Sequence, residues 1–170
     1  DWKKFYSINK DHYHTIYHIE NLLRLWEAYK DEFMKEFPEL DEETLITAIK
    51  WHDSHYVPGD ELNEVKSVEY YINSVGNYVN EMMESKDVDA TIFTLFNPLV
   101  GFIIESTKIG YNFTDESPAE CKVMHDLDWS GFNDYEAFKS NCEKIYQEVI
   151  DHNPFSEEDE TFGQKVRKNQ

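Results

Sequence analysis

Cysteine is nearly absent from this chain of 170 residues, with only Cys121 and Cys142 present. They lack C-x-x-C spacing, and each falls in an apolar helical pattern. A disulfide framework is therefore excluded, and buried free thiols in a reducing, cytoplasmic compartment are expected. Basic residues are also scarce: 16 Lys and Arg stand against 35 Asp and Glu, a formal net charge of −19. Such a surface repels a phosphate backbone, which excludes long nucleic acids as partners or substrates. A small anion is still allowed, because a bound divalent cation reverses the potential locally, and much of the acidity serves solubility. Long apolar runs are missing as well. The longest, around Leu99 to Ile104, is broken by Gly101 and falls far short of the roughly 20 residues a membrane span needs. No N-terminal segment has the basic-then-apolar layout of a signal peptide, so no membrane partner is expected. Asn112-Phe113-Thr114 matches a glycosylation sequon, but so short a pattern does not by itself argue for secretion.

Aromatic residues are plentiful (11 Tyr, 11 Phe and 4 Trp), and apolar residues make up 40% of the chain. That is enough for one core without staples. The periodicity predicts an all-α, single-domain bundle over residues 1–155. A polar tail, 156–170, acidic and then basic, is expected to pack little. The first residue is Asp, so truncation at the start is expected.

From Asp11, the apolar positions Ile16, Ile19, Leu22, Leu23, Trp26, Tyr29 and Phe33 recur at three-to-four spacing and predict a long helix ending near Pro38. Asp41 is placed to cap a second helix carrying Leu45, Ile46, Ala48, Ile49 and His52. Pro58-Gly59-Asp60 forces a loop. A third helix is expected from about Leu62 through Val75, weakening at Gly76, and residues 88–107 read as two helical pieces. Asn97-Pro98 fits an N-cap followed by proline at the first helical position. Ser117-Pro118-Ala119-Glu120 reads as a capping box opening a helix with Val123, Met124, Leu127 and the Asp126-Leu127-Asp128 triplet. Asn133-Asp134-Tyr135-Glu136 resembles a second box. It opens a last helix whose Phe138, Cys142, Ile145, Tyr146 and Val149 form the apolar face, stopping near Asn153-Pro154.

His52-Asp53 closes the second helix, His18 lies on the first, and another aspartate arrives on a later helix. Imidazole and carboxylate together suit one divalent ion such as Mn²⁺, Fe²⁺, Zn²⁺ or Ni²⁺, with Mg²⁺ also allowed. Bundle cores build such sites from inward side chains on facing helices. Asp126 and Asp128 are two apart on a helix, so their side chains diverge by about 200° and cannot both face one ion.

The order His18, His52-Asp53, then a later aspartate resembles the ligand order of the HD superfamily of metal-dependent phosphohydrolases. Within it, Tyr13-His14-Thr15-Ile16-Tyr17-His18-Ile19 is similar to the Y-H-x-x-x-H-I opening of a bacterial and phage subfamily. Ala48-Ile49-Lys50-Trp51-His52-Asp53-Ser54-His55-Tyr56, Asn63-Glu64-x-x-Ser67 and Asp126-Leu127-Asp128 follow in the family's order. The resemblance implies an HD-type bundle with the metal in its core and with His18, His52 and Asp53 as ligands. Its fourth ligand is Asp126 or Asp128, with a lean towards Asp128. It further implies that His14, read as one turn before His18 on the same face, donates to a phosphate oxygen or orients a ligand. Tyr56 and Glu64 take the place of a glutamate that many members carry soon after His-Asp. Glu64 is the candidate to orient or deprotonate the attacking water, although an acid in a helix's first turn also serves the dipole.

The chain departs from the subfamily pattern after Thr107, where Lys108-Ile109-Gly110 supplies no histidine, and Lys108 is the alternative phosphate contact. Leu127 replaces a small residue, Trp129 follows the triplet, and the further helix expected past Phe162-Gly163 is lacking. The C-terminal wall of the site is thus expected to be missing, shortened or supplied by a partner, a homodimer included. His55, His125 and His152 are expected at the surface or core edge, and Tyr70, Tyr71 and Tyr78 in packing.

The implied activity is hydrolysis of a small phosphorylated substrate, a nucleotide before others. A di-iron oxygenase of the same superfamily would need more histidines between His52-Asp53 and the last aspartate than His55 and His125. A non-catalytic acidic binding or inhibitor protein on the same scaffold is the remaining alternative. Against it stands the intact ligand set, which a pure scaffold has no need to bury.

Overall fold

The first helix, α1 (Ile16–Glu36), buries Ile16, His18, Ile19, Leu22 and Trp26, a spacing that turns one stripe of the cylinder inward. The computed structural model describes residues 1–85 and 97–152. After α1 it shows α2 (Glu42–Trp51), α3 (Asn63–Ser85), α4 (Pro98–Ser106), α5 (Ala119–Trp129) and α6 (Tyr135–His152). Single 3-10 turns occupy Trp2–Phe5 and Ser130–Phe132. Among the described residues there is no strand, only an isolated bridge between Ser7 and Thr15. The fold is all-α. The expected helical piece before Asn97 and the tail 156–170 lie outside the described residues.

Helix α4 is the most apolar element and sits at the centre, packing on α2, α3 and α5 while α1 lies across α2 and α5. Ile19, Trp26, Leu45, Ile49, Ile103, Ile104 and Met124 are fully buried between them. Where α3 crosses α4, a Cβ on Gly101 would stand 3.3 Å from Val68 Cγ1, so glycine permits the close approach.

Two predicted caps form as expected. Asp41 accepts from the backbone N–H groups of Glu43 and Thr44, and Asn97 accepts from that of Leu99 ahead of Pro98. The Ser117 box does not form. Pro118 is the cap, and Ser117 Oγ instead accepts from Thr114 N at 2.9 Å. Glu120, freed from the box, is buried and accepts from Asp41 N at 2.7 Å, tying the first turn of α5 to the start of α2. A hydrogen bond to a buried charged acceptor contributes about 1.5–3 kcal/mol. Glu120→Ala is accordingly expected to lower stability by about that amount in urea unfolding, with Glu120→Gln losing less. A loss below about 0.5 kcal/mol, the range of ordinary surface changes, would count against this bond.

Other expectations shift. Helix α1 begins at Ile16, not Asp11, because Asn9 and Ser7 fold the preceding residues into turns: Asn9 N donates to Ser7 Oγ and Asp11 N to Asn9 Oδ1, each at 3.1 Å. Helix α3 continues through Gly76 to Ser85. Helix α6 is capped by Asp134, whose Oδ1 accepts from Ala137 N at 2.9 Å. Its predicted apolar face does not close on the core: Phe138, Cys142 and Tyr146 are exposed, and Glu148 is the buried position. Cys121 is buried as expected, but Cys142 is not. Tyr70 and Tyr71 pack as expected, while Tyr78 is half exposed. No helix among the described residues is long and apolar enough to cross a membrane.

Candidate metal centre

Three helices bring one corner each. His18 points inward from the first turn of α1 because it shares the stripe of Ile19 and Leu22. His52 ends α2: its N–H closes the last turn on Ala48, and its ring Nδ1 donates to Ile49 O at 3.0 Å. That bond fixes the ring and leaves Nε2 facing the opposite way, as in metal-bound histidines oriented by a backbone carbonyl. Asp53 follows directly, where the chain leaves the helix. Asp128 lies one turn beyond the buried Met124 on α5, and so on its inward side.

These side chains converge. His18 Nε2 lies 3.0 Å from Asp128 Oδ1 and 3.7 Å from Asp53 Oδ2; His52 Nε2 lies 3.0 Å from Asp53 Oδ2 and 3.6 Å from Asp128 Oδ1. Metal–nitrogen and metal–oxygen bonds of about 2.0–2.2 Å place neighbouring ligand atoms roughly 3.0–3.4 Å apart, so the spacing matches the edges of a coordination shell. Although close, His52 Nε2 and Asp53 Oδ2 are buried and make no hydrogen bond, to each other or elsewhere. Two orphaned polar atoms aimed at a common point fit a shared cation. His18, His52 and Asp53 form a group able to hold a metal ion.

The electrostatics agree. Burial opposes a charged His52 ring, but the carboxylates of Asp53 and Asp128 outweigh it and hold its pKa well above the usual value. Burial likewise opposes ionised carboxylates, and the neighbouring histidines overcome it: His52 and His14 keep Asp53 below its usual range, and His18 and His52 keep Asp128 below it.

Asp126 is not part of the cluster. Its side chain is 68% exposed on the far side of α5, near His125, as the 200° divergence requires. His14 does reach the cleft, its ring 6.4 Å from that of His18, but it comes from the turn before α1 and not from the helix. Its ring stacks on Tyr56 at 3.4 Å between centroids. Burial and the charges of Glu148, Asp53 and Glu64 push the Tyr56 hydroxyl pKa up, so Tyr56 stays a neutral donor. Glu64 opens α3, half-buried, and among the described residues no hydrogen bond ties it to the cluster. Lys108 is elsewhere, donating to Glu61 O at 3.2 Å. His125 is half-buried against Phe113 and Trp129, and His152 is exposed. His55 sits at the core edge against Tyr70 with Nε2 buried.

One participant was missed by the sequence reading. Glu148 of α6 accepts from His14 N and, through its other oxygen, pairs with His14 Nδ1, both at 2.8 Å. A buried carboxylate that grips both backbone and ring fixes the imidazole beside Asp53. The only signal for it in the sequence is an acid three residues after Ile145, which resembles a surface residue until the packing partner is known.

No family model, curated protein or solved structure matches this chain.

Proposed function

We propose that the chain is a metal-dependent phosphohydrolase of the HD type, acting on a small phosphorylated compound, a nucleotide first among them. The observation that carries this reading is the convergence of two histidines and two aspartates, in which His52 Nε2 and Asp53 Oδ2 are buried 3.0 Å apart yet make no hydrogen bond. His18, His52, Asp53 and Asp128 would hold one divalent ion, Mn²⁺, Mg²⁺, Ni²⁺, Fe²⁺ or Zn²⁺. Bound there, such an ion supplies a water of lowered pKa and polarises a phosphoryl oxygen.

The chain's own residues supply the remainder. Glu148 holds His14 Nδ1, which orients the ring and leaves Nε2 to the cleft, where it is placed to meet a phosphoryl oxygen. Tyr56 covers one face of that ring and limits its rotation. Glu64, whose charge reaches Tyr56, is the carboxylate proposed to take the water's proton. The acidic exterior favours small substrates over polymers.

The deciding experiment combines metal analysis with phosphate release from nucleoside mono-, di- and triphosphates in Mn²⁺, Mg²⁺ or Ni²⁺. Release should require metal and fall by more than about 100-fold in Asp53→Ala, since loss of even an outer partner costs about 10–100-fold. Folded protein that binds no ion and releases no phosphate would overturn the reading.

A further inference from the structure

The two sides of the metal centre differ in charge. Beside Asp53 lies a cavity of about 290 Å³ whose walls include Glu148 and Asp151. Beside His18 and Asp128 lies another of about 410 Å³, lined by Lys10, Tyr17, Asn21 and Lys144 as well as the two cluster residues. Lys10 comes from the turns before α1, Lys144 from α6. Neither lysine forms an ion pair or hydrogen bond among the described residues, and Lys10 Nζ only rests over the Tyr17 ring at 5.3 Å. This is notable in a chain with 35 acids to 16 bases. By contrast, Lys3, Lys30 and Lys66 each take a carboxylate partner.

The wall between them is preformed. Asn141 of α6 donates to Gly131 O at 2.7 Å, and a Cβ on Gly131 would stand 2.7 Å from the same Asn141 nitrogen. The cavity cannot close further there, and it has the size of a small-ligand site. Within it, the one carboxylate is Asp128, already engaged by His18 at 3.0 Å. Two unpaired ammonium groups and amide side chains facing a metal centre match an anion with more charge than one phosphoryl group carries.

We infer that this cavity is the substrate pocket and that it takes a compound with two phosphate groups, one at the metal centre and the second between Lys10 and Lys144. The inference rests on the phosphohydrolase reading for the first phosphate only; the lysines act on the second through charge, with or without the ion.

Calorimetric titration of the full chain with AMP, ADP and adenosine 3',5'-bisphosphate, in Mn²⁺ and separately in EDTA, tests it. ADP or the bisphosphate should bind at least 10-fold tighter than AMP in Mn²⁺. The preference should vanish in Lys10→Ala/Lys144→Ala and persist in Lys10→Arg/Lys144→Arg. In EDTA a weaker preference with the same lysine dependence is expected. If Mn²⁺ does not bind, the metal reading fails on its own, and the lysine dependence is then judged in EDTA. Equal affinity for all three nucleotides, or a preference that survives loss of both lysines, overturns the pocket assignment.

Discussion

Replacing Asp128 by alanine or asparagine is expected to abolish Mn²⁺ binding, whereas Asp126→Ala leaves it unchanged. The two aspartates share one helix, one helix turn and the same chemistry, so the pair isolates direction from composition. Asp128 Oδ1 lies 3.0 Å from His18 Nε2 and 3.6 Å from His52 Nε2, while the Asp126 side chain is 68% exposed. Asparagine preserves the shape of Asp128 and can still hydrogen-bond to His18, but it lacks the charge a divalent ion needs. A loss of more than about 100-fold in affinity is expected for both Asp128 variants, since disturbing even an outer partner costs about 10–100-fold. Calorimetric titration with Mn²⁺, beside a circular dichroism check of folding, gives the answer. Unchanged affinity in folded Asp128→Asn, or its loss in Asp126→Ala, would remove Asp128 from the ligand set.

This pair also shows how far the sequence could be read. Helical period placed His18 on the inward stripe and His52-Asp53 at a helix end, because apolar neighbours such as Ile19 and Ile49 define the buried face locally. The same period could not by itself choose between Asp126 and Asp128. Met124 and Leu127 both turn inward, and the core edge runs between them, so the choice depends on where α1 and α2 press against α5. Caps built from one short side chain, Asp41 and Asn97, were legible because their partners lie within three residues. The Ser117 box was not, because Glu120 is drawn away by Asp41 N, 79 residues earlier in the chain. Glu148 was hidden for the same reason: its partner is His14, 134 residues away. The face of α6 departs from its pattern because aromatic residues at helical spacing resemble a core stripe whether or not a partner covers them, and Phe138 and Tyr146 remain exposed. The place of Lys108 in a family pattern says nothing of its neighbours, and its ammonium donates to the Glu61 carbonyl. Local chemistry was readable; long-range partners were not.

Thermal stabilisation by Mn²⁺ is expected to grow as pH rises from 6 to 9. In the metal-free chain a charged His52 ring between Asp53 and Asp128 takes the place of a cation. Its folded pKa is raised, so the stability it contributes is fully present below about 6.5, the unfolded value, and is lost as pH rises through the folded value. The lowered Asp53 and Asp128 act in the opposite sense: their contribution is present above about 3.9 and lost as pH falls through their folded values. Metal-free protein should thus be most stable on the mildly acidic side and weaken towards alkaline pH. An incoming ion must displace the His52 proton, so its affinity rises over the same range. At a free concentration of 100 Kd a ligand adds about 2.7 kcal/mol, which for a domain of this size raises Tm by roughly 5–10 °C. Melting curves in EDTA and in Mn²⁺ at several pH values should therefore diverge upwards from pH 6. If the EDTA curve stays flat between pH 6 and 9, His52 is not the internal counter-charge. A Mn²⁺ shift that shrinks with pH would mean that the ion does not compete with that proton and binds away from His52.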